Sequence, residues 1–278
     1  MLNSSLNQQN DLFFLQVRLF RLAQIKWNVD SKKCSEIFNK YKIYDYIETC
    51  YDFFHIQGDE ETSQEALINS IKRFNLDKDI HGIMVQLPLP EHISEEAVIN
   101  AIAPEKDIDG FTTINKGKLM IDDKDAIIPC TPKGIMTILE HENIDLQGKN
   151  VVIVGRSNIV GKPLAQLMIN AGATVTVCNS KTDKIILNCL IASSDIFISA
   201  IGKANHFNKN TFEFYRLDNT IAIDVGINRD NEGKLCGDIS KELYDSFKDV
   251  TSVPGGVGVM TVLEVIKNSI ECYERSKK

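Results

Sequence analysis

From Val151 onward, short runs of β-favouring residues alternate with stretches in which apolar positions recur at helical spacing. The runs fall at 151–154, 174–178, 195–200 and 220–224. Unbroken apolar runs suit strands buried on both faces of a parallel sheet, so this part of the chain reads as a doubly wound α/β domain. Upstream the pattern is mixed. Residues 12–23 read as a helix with a wide apolar face, and 25–29 as a weak strand. Residues 34–46 are helical in pattern, with Ile37, Tyr41 and Tyr44 on one side. Thr62 and Glu65 have the spacing of a capping box, opening a helix whose buried stripe is Leu67, Ile71 and Phe74. Residues 80–87 read as a buried strand ended by Pro88-Leu89-Pro90, and Ser94 as the cap of a short helix through Ile102. Asp107 to Phe111 is a loop carrying paired carboxylates, and Thr131-Pro132 are predicted as N-cap and first residue of a helix to about His141. A last helix follows the glycine-rich loop 252–258, with Val262, Val265, Ile266 and Ile270 as its apolar face.

The chemistry concentrates at residues 151–163, where Val151-Val152-Ile153-Val154 run into Gly155-Arg156-Ser157-Asn158-Ile159-Val160-Gly161-Lys162-Pro163. A strand, a glycine turn and a helix start let the backbone approach a phosphate, where free N–H groups and the helix dipole favour an anion. Ser157 stands where the common dinucleotide motif has its second glycine, and a tight turn that binds nothing fits this segment almost equally well. The second strand favours a ligand. An NAD site usually ends that strand in an acid for the ribose 2′-hydroxyl, whereas this chain has Asn179-Ser180-Lys181-Thr182. Arg156, Ser180, Lys181 and Thr182 would suit a 2′-phosphate, so the local chemistry points to NADP over NAD. The plainer alternative is that Lys181 and Thr182 are solvated loop residues.

Composition narrows the class without changing this picture. The chain has 278 residues, 43% hydrophobic and 25% charged, as for an ordinary globular protein with one large core or two modest ones. A net charge of −7 argues against general nucleic-acid binding. Seven scattered cysteines without paired spacing fit reduced thiols in a cytoplasmic protein. No apolar run suits a membrane span. Asp11 is the one acid in the first 29 residues, which leaves open a cleaved targeting segment, although an amphipathic first helix is the preferred reading. The five histidines lack metal-ligand spacing, so no metal is expected.

Further blocks stand in order along the chain: Val85-Gln86-Leu87-Pro88-Leu89-Pro90, Lys106-Asp107-Ile108-Asp109-Gly110-Phe111, Cys130-Thr131-Pro132, Asp224-Val225-Gly226-Ile227-Asn228 and Pro254-Gly255-Gly256-Val257-Gly258. With 155–163 they resemble the bifunctional methylenetetrahydrofolate dehydrogenase/methenyltetrahydrofolate cyclohydrolase family, closely from Ile80 to Met260. The resemblance implies a two-domain α/β protein: a folate domain at 1–133 completed by a C-terminal helix at 260–278, and a Rossmann-type NADP domain at 134–259. It implies oxidation of 5,10-methylenetetrahydrofolate with NADP and hydrolysis of the methenyl product to 10-formyltetrahydrofolate, in one-carbon metabolism that feeds purine synthesis. Both steps would share a cleft between the domains of a cytoplasmic homodimer paired through the cofactor domain.

Carried over residue by residue, the resemblance makes Lys42, Gln86 and Asp109 catalytic. It places tetrahydrofolate derivatives against Phe38, Gln86, Leu87, Pro88, Asp109, Pro254, Gly255 and Gly256. NADP would meet Thr131, Gly155, Arg156, Ser157, Ile159, Val160, Ser180, Lys181, Thr182, Ala200, Ile201, Gly202 and Ile227. Lys42 is preferred over Lys32 because it keeps an ungapped register to Gln86. Opening the methenyl cation needs a proton acceptor for water, and a desolvated lysine can serve. Gln86 would orient that lysine, and Asp109 would accept from the pterin's amino-pyrimidine edge. Asp107 is read as a loop-shaping carboxylate. Phe38 and Asp30 stand where the family has a tyrosine and a glycine. That predicts an intact dehydrogenase beside a weaker cyclohydrolase. The alternatives are a dehydrogenase alone or a non-catalytic cofactor-binding or dimer-partner subunit.

Overall fold

The structure is a computed structural model that describes residues 30–40, 63–230 and 232–277. The expected helix at 12–23, the strand at 25–29, Lys42, Tyr41, Tyr44 and Thr62 lie outside the described residues. The chain forms two compact units, one of residues 1–67 with 85–95 and the other of 68–84 with 96–278.

In the first unit, α1 (Ser31–Lys40) buries Cys34 and Phe38 one turn apart. Asp30, which stands where the family has a glycine, stabilises the start of this helix: its Oδ1 accepts from the Lys33 N–H at 2.7 Å, an N-cap bond. α2 (Gln64–Leu76) starts one residue later than the capping-box pattern suggests. Its cap is Ser63, whose Oγ accepts from the Ala66 N–H at 3.1 Å. Of the expected stripe only Ile71 is fully buried. The side chain of Gln64 accepts from the Ser94 N–H ahead of α3 (Glu95–Asn100), which stops short of Ile102.

The expected strand at 80–87 does not form. Ile83 alone makes a parallel bridge with Asp107, its N–H donating to Lys106 O and its carbonyl accepting from Ile108 N–H. The pairing cannot extend because the partner segment turns away at once, Gly110 N–H bonding back to Asp107 O. Lys106 ties this corner down: its Nζ donates to the carbonyls of Phe74, Asn75 and Asp77 at 2.9, 2.8 and 2.7 Å. Those are the carbonyls that the end of α2 leaves without intrahelical partners. α4 (Thr113–Met120) follows, capped by Thr112.

α5 (Cys130–His141) has Pro129 as N-cap, so Thr131-Pro132 lie inside its first turn and do not open it. Next come β1 (Asn150–Val154), α6 (Gly161–Asn170), β2 (Thr174–Cys178), α7 (Lys184–Ala192), β3 (Ile196–Ser199) and β4 (Ile221–Asp224), each strand within a residue of its expected bounds. A small hairpin, β5 (Asn228–Arg229) with β6 (Leu235–Cys236), and a short edge strand, β7 (Asp249–Val250), were not foreseen. The parallel five-stranded sheet has the order β2-β1-β3-β4-β7. Side chains alternate across it as the pleat requires. Val151 and Ile153 join Ile196, Ile198, Leu164 and Ile135 on one face. Val152 and Val154 join Phe197, Phe207 and Ile191 on the other.

The last helix, α8 (Val257–Arg275), packs on α5. Its buried face is not the expected one. Val262 and Ile270 are exposed, whereas Val257, Glu264, Asn268 and Cys272 are buried. Polar groups occupy this face because Asn268 serves the main-chain carbonyls of Ile108 and Ile128, both at 2.8 Å. Lys106→Met should lower unfolding stability by about 2 kcal/mol, since it removes charge-assisted bonds to otherwise unpaired carbonyls. Chemical denaturation checks this, and an unchanged midpoint would mean that water serves those carbonyls equally well.

Candidate active site

In the strand order, β2 and β3 flank β1, so the chain reverses direction at the β1/β3 boundary. Crevices at such boundaries, beyond the carboxyl ends of the strands, are where open α/β sheets bind ligands. The β1–α6 turn and the segment after β3 meet there. Gly155 has φ +132°, and a side chain on it would start 2.4 Å from Ala200 O. The structure thus brings Gly155, Arg156, Ser157, Ala200, Ile201 and Gly202 to one place. Beyond Gly202 nothing lies within 4 Å of where a side chain would begin.

The start of α6 differs from the sequence expectation. Its first N–H groups are not free. Ser157 Oγ accepts from Val160 N–H at 3.1 Å and from Gly161 N–H at 3.4 Å, Ser157 O accepts from Lys162 N–H, and Pro163 has none to offer. An anion here meets the helix dipole and side chains, not a ring of bare amides. Ile159 and Val160 form the turn itself and are partly exposed. After β2, Thr182 Oγ1 accepts from Asn179 N–H at 3.0 Å and Asn179 Oδ1 from Lys181 N–H at 3.0 Å. These bonds shape a tight turn that leaves Ser180 and Lys181 exposed, as Arg156 is. An anionic 2′-phosphate fits that donor set, and no acid stands at the end of β2 to repel it.

Two residues that the sequence reading missed hold this crevice in shape. Asp238 is fully buried. Its Oδ2 accepts from Ser199 Oγ at 2.8 Å and from the N–H groups of Ile201 and Gly202 at 2.9 and 3.3 Å. Its Oδ1 accepts from Lys203 N–H at 2.8 Å and Asn228 Nδ2 at 2.9 Å. Asp224 at the end of β4 fixes Asp238 in turn, accepting from the N–H groups of Gly226, Asp238 and Ile239. Gly237 permits this, since a side chain there would start 1.9 Å from Asp224 Oδ2. Burial pushes the Asp224 carboxyl up to about 6, opposed by these backbone bonds and aided by the Asp238 charge. Ile227 is exposed and lies against Gly258 at the start of α8, while Thr131 Oγ1 accepts from Thr261 Oγ1 at 3.1 Å.

The residues expected to meet the substrate divide between the units. Phe38, Gln86, Leu87 and Pro88 belong to the first, where Phe38 is buried and Gln86 is exposed with Nε2 donating to Leu87 O at 3.1 Å. Lys32 is exposed in the first turn of α1. Asp109, Pro254, Gly255 and Gly256 belong to the second unit. The two carboxylates of the 107–109 loop have opposite surroundings. Asp107 is saturated, accepting from the N–H groups of Phe111 and Thr112 and from Asn115 Nδ2. It shapes the loop, as expected. Asp109 retains some surface, yet dense packing drives its carboxyl up to about 7. The Asp107 charge adds to the rise, and a hydrogen bond from Cys130 opposes it. Asp109 is therefore the group in this loop that gains most from new N–H donors. Among the described residues, no group of three or more His, Cys, Asp or Glu could hold a metal ion, and no helix is long and apolar enough to cross a membrane.

Comparison with known proteins decides the family. Residues 8–109 match the tetrahydrofolate dehydrogenase/cyclohydrolase catalytic domain, and residues 129–277 match that family's NAD(P)-binding domain. The chain belongs to the tetrahydrofolate dehydrogenase/cyclohydrolase family. Among its relatives, the bifunctional protein FolD of Bacillus subtilis is 45% identical over 221 residues, covering 79% of this chain and 76% of that protein. The FolD protein of Dechloromonas aromatica is 43% identical, covering 89% and 85%. Among solved structures, the Campylobacter jejuni bifunctional FolD enzyme superposes with a TM-score of 0.72 at 40% identity, covering 78% of this chain and 75% of that one. The Trypanosoma brucei enzyme, solved with NADP cofactor and inhibitor, gives 0.70 at 36% identity, covering 78% and 75%.

In this family member the Asp109 carboxyl sets a pH dependence. A carboxyl raised when folded contributes stability that is complete below its ordinary value near 3.8 and is lost as pH rises through about 7. Wild type should therefore lose more stability than Asp109→Asn between about pH 5 and about pH 8. Chemical denaturation at both values checks this, and equal losses would contradict the placement of Asp109.

Proposed function

We propose that Asp109 docks the pterin, that Arg156, Ser180 and Lys181 receive the cofactor's 2′-phosphate, and that Lys42 is the base of the hydrolytic step. The activities themselves are those of the family: the chain is an NADP-dependent methylenetetrahydrofolate dehydrogenase and methenyltetrahydrofolate cyclohydrolase of folate one-carbon metabolism. The observation that supports the docking role is the contrast within the 107–109 loop. Asp107 already has its donors, whereas burial and the Asp107 charge hold the Asp109 carboxyl near 7 with one hydrogen bond, from Cys130, to oppose them. An amino-pyrimidine edge offers two parallel N–H donors, which would restore its charged form.

NADP supplies the acceptor for the hydride that leaves the one-carbon bridge of 5,10-methylenetetrahydrofolate, giving the methenyl cation and reduced nucleotide. Hydride transfer demands close alignment of two carbons, so the protein's part is placement. Backbone held by Asp238 fixes the cofactor side, and Asp109 fixes the pterin. In the second step water adds to the methenyl carbon and gives up one proton, and the bond from that carbon to N5 breaks as the remaining hydroxyl proton passes to N5, leaving the 10-formyl product. Lys42 takes the first proton, oriented by Gln86. The cationic methenyl group itself lowers the affinity of the lysine for a proton. Lys32, with its exposed side chain on the first turn of α1, lacks the desolvation such a base needs.

We assign the folate part to 1–133 with the helix at 260–278, and the cofactor part to 134–259. A cytoplasmic homodimer joined through the cofactor part accords with β2, a sheet edge among the described residues, where Val177 is 39% exposed. The test follows both products with purified protein, methylenetetrahydrofolate and NADP. Lys42→Met should keep formation of reduced nucleotide within about threefold and lose at least about a hundredfold in hydrolysis, so that methenyl product accumulates. Lys32→Met should leave both activities within about threefold of wild type. The reverse pattern would show that Lys32 is the base, and methenyl accumulation in wild type would reduce the chain to a dehydrogenase.

A further inference from the structure

We propose that Lys133 and Asn268 are positioning residues for Asp109, acting through Cys130 and the main chain at Ile108. The inference rests on the reading of Asp109 as the pterin-docking carboxylate. Asn268 lies on the buried face of α8 with no exposed surface. Its Nδ2 donates to Ile108 O and Ile128 O at 2.8 Å each and approaches Cys130 Sγ at 3.4 Å. Three acceptors around one amide nitrogen fix which way the side chain points, because the reversed amide would set oxygen against carbonyl oxygens. The amide's own oxygen is then held by Lys133 Nζ at 2.7 Å, reaching across from α5.

Lys133 is fixed from its other side. Glu264 Oε2 lies 3.8 Å from Nζ and Glu271 Oε2 3.6 Å. Glu264 is fully buried, and its other oxygen takes Thr137 Oγ1 and Lys267. Its Oε2 has no hydrogen-bond partner among the described residues, so Lys133 is the cation that offsets this oxygen's burial. The ammonium is thereby confined where it meets Asn268.

The far end of the chain touches Asp109 twice. Ile108 O belongs to the peptide that joins Ile108 to Asp109, so Asn268 anchors the backbone directly before the carboxylate. Cys130 accepts from Asn268 and so turns its S–H outward, toward Ile108 O at 3.6 Å and the Asp109 carboxylate. That thiol bond favours charged Asp109. The ionisable groups around the chain are Asp107 beside Asp109; Lys133 and Glu264 beside Cys130; and Glu271, Cys272 and Arg275 on α8. Of these only Lys133 bonds to Asn268.

The acid limb of the pH profile of kcat/KM for methylenetetrahydrofolate reads this arrangement. Lys133→Met frees the Asn268 amide and should raise the limb by about half a pH unit, a loss of about threefold at pH values below it. Activity on the alkaline plateau should fall much less. Lys133→Arg should restore the limb, since it keeps a cationic donor. Lys267→Met removes an equal charge from Glu264 without touching Asn268 and should leave the limb in place. If Lys133→Met fails to fold, Asn268→Ser cuts the same chain and should move the limb in the same direction. An unmoved limb in a folded Lys133→Met or Asn268→Ser protein overturns the proposal. Equal shifts in Lys133→Met and Lys267→Met overturn it too, in favour of a diffuse charge effect. Asp109→Asn separates the two levels: if its residual activity keeps the wild-type limb, the docking role of Asp109 fails, and the relay built on it falls with a different signature.

Discussion

Everything on the cofactor side depends on one buried carboxylate with a full set of donors. Burying the charge of Asp238 would be ruinous if it were unpaired. Here Ser199, Ile201, Gly202, Lys203 and Asn228 all donate to it. The main chain beyond β3 therefore has a fixed course before any ligand arrives, and the crevice at the β1/β3 boundary keeps its width. Asp224 sets the aspartate in place from behind, and Gly237 leaves room for that contact. A preformed backbone spares the ordering cost that a loose loop would impose on binding. It also suits a hydride transfer, whose main requirement is alignment.

The folate side uses carboxylates differently. Asp107 and Asp109 are separated by one residue, yet one is saturated and the other is held at a carboxyl value near 7. The saturated one builds the loop and raises the energy of a charge on its neighbour. New N–H donors at the neighbour would favour its charged form. Divergent environments for two like groups are a common means of giving them distinct tasks. The polar face of α8 continues this logic, because Asn268 spends its amide on the carbonyls beside the site.

Strand positions from 150 to 224 were legible because a sheet buried on both faces writes itself as unbroken apolar runs. The glycine turn, the acid-free end of β2 and the role of Asp107 were legible for the same kind of reason, a local pattern with a local cause. What could not be read depends on distant partners. The segment at 80–87 has strand composition, but its partner turns away after Ile108. The buried face of α8 carries Glu264, Asn268 and Cys272, and hydropathy alone assigned that face to Val262 and Ile270. No local pattern marks Asp238 in the sequence; its five donors come from two separate segments, 199–203 and Asn228. The occupied N–H groups at the start of α6 reflect Ser157, a substitution visible in the sequence whose geometric consequence was not.

Hydrogen exchange of the backbone amides of Ile201, Gly202 and Lys203, followed without NADP, tests the claim of a preformed crevice most directly. The account predicts slow exchange at Ile201 and Lys203, comparable to the amides of the central strands, because both N–H groups are bound to a buried carboxylate. Fast exchange that slows only on addition of NADP would contradict it, and would mean that the cofactor, not Asp238, orders the loop.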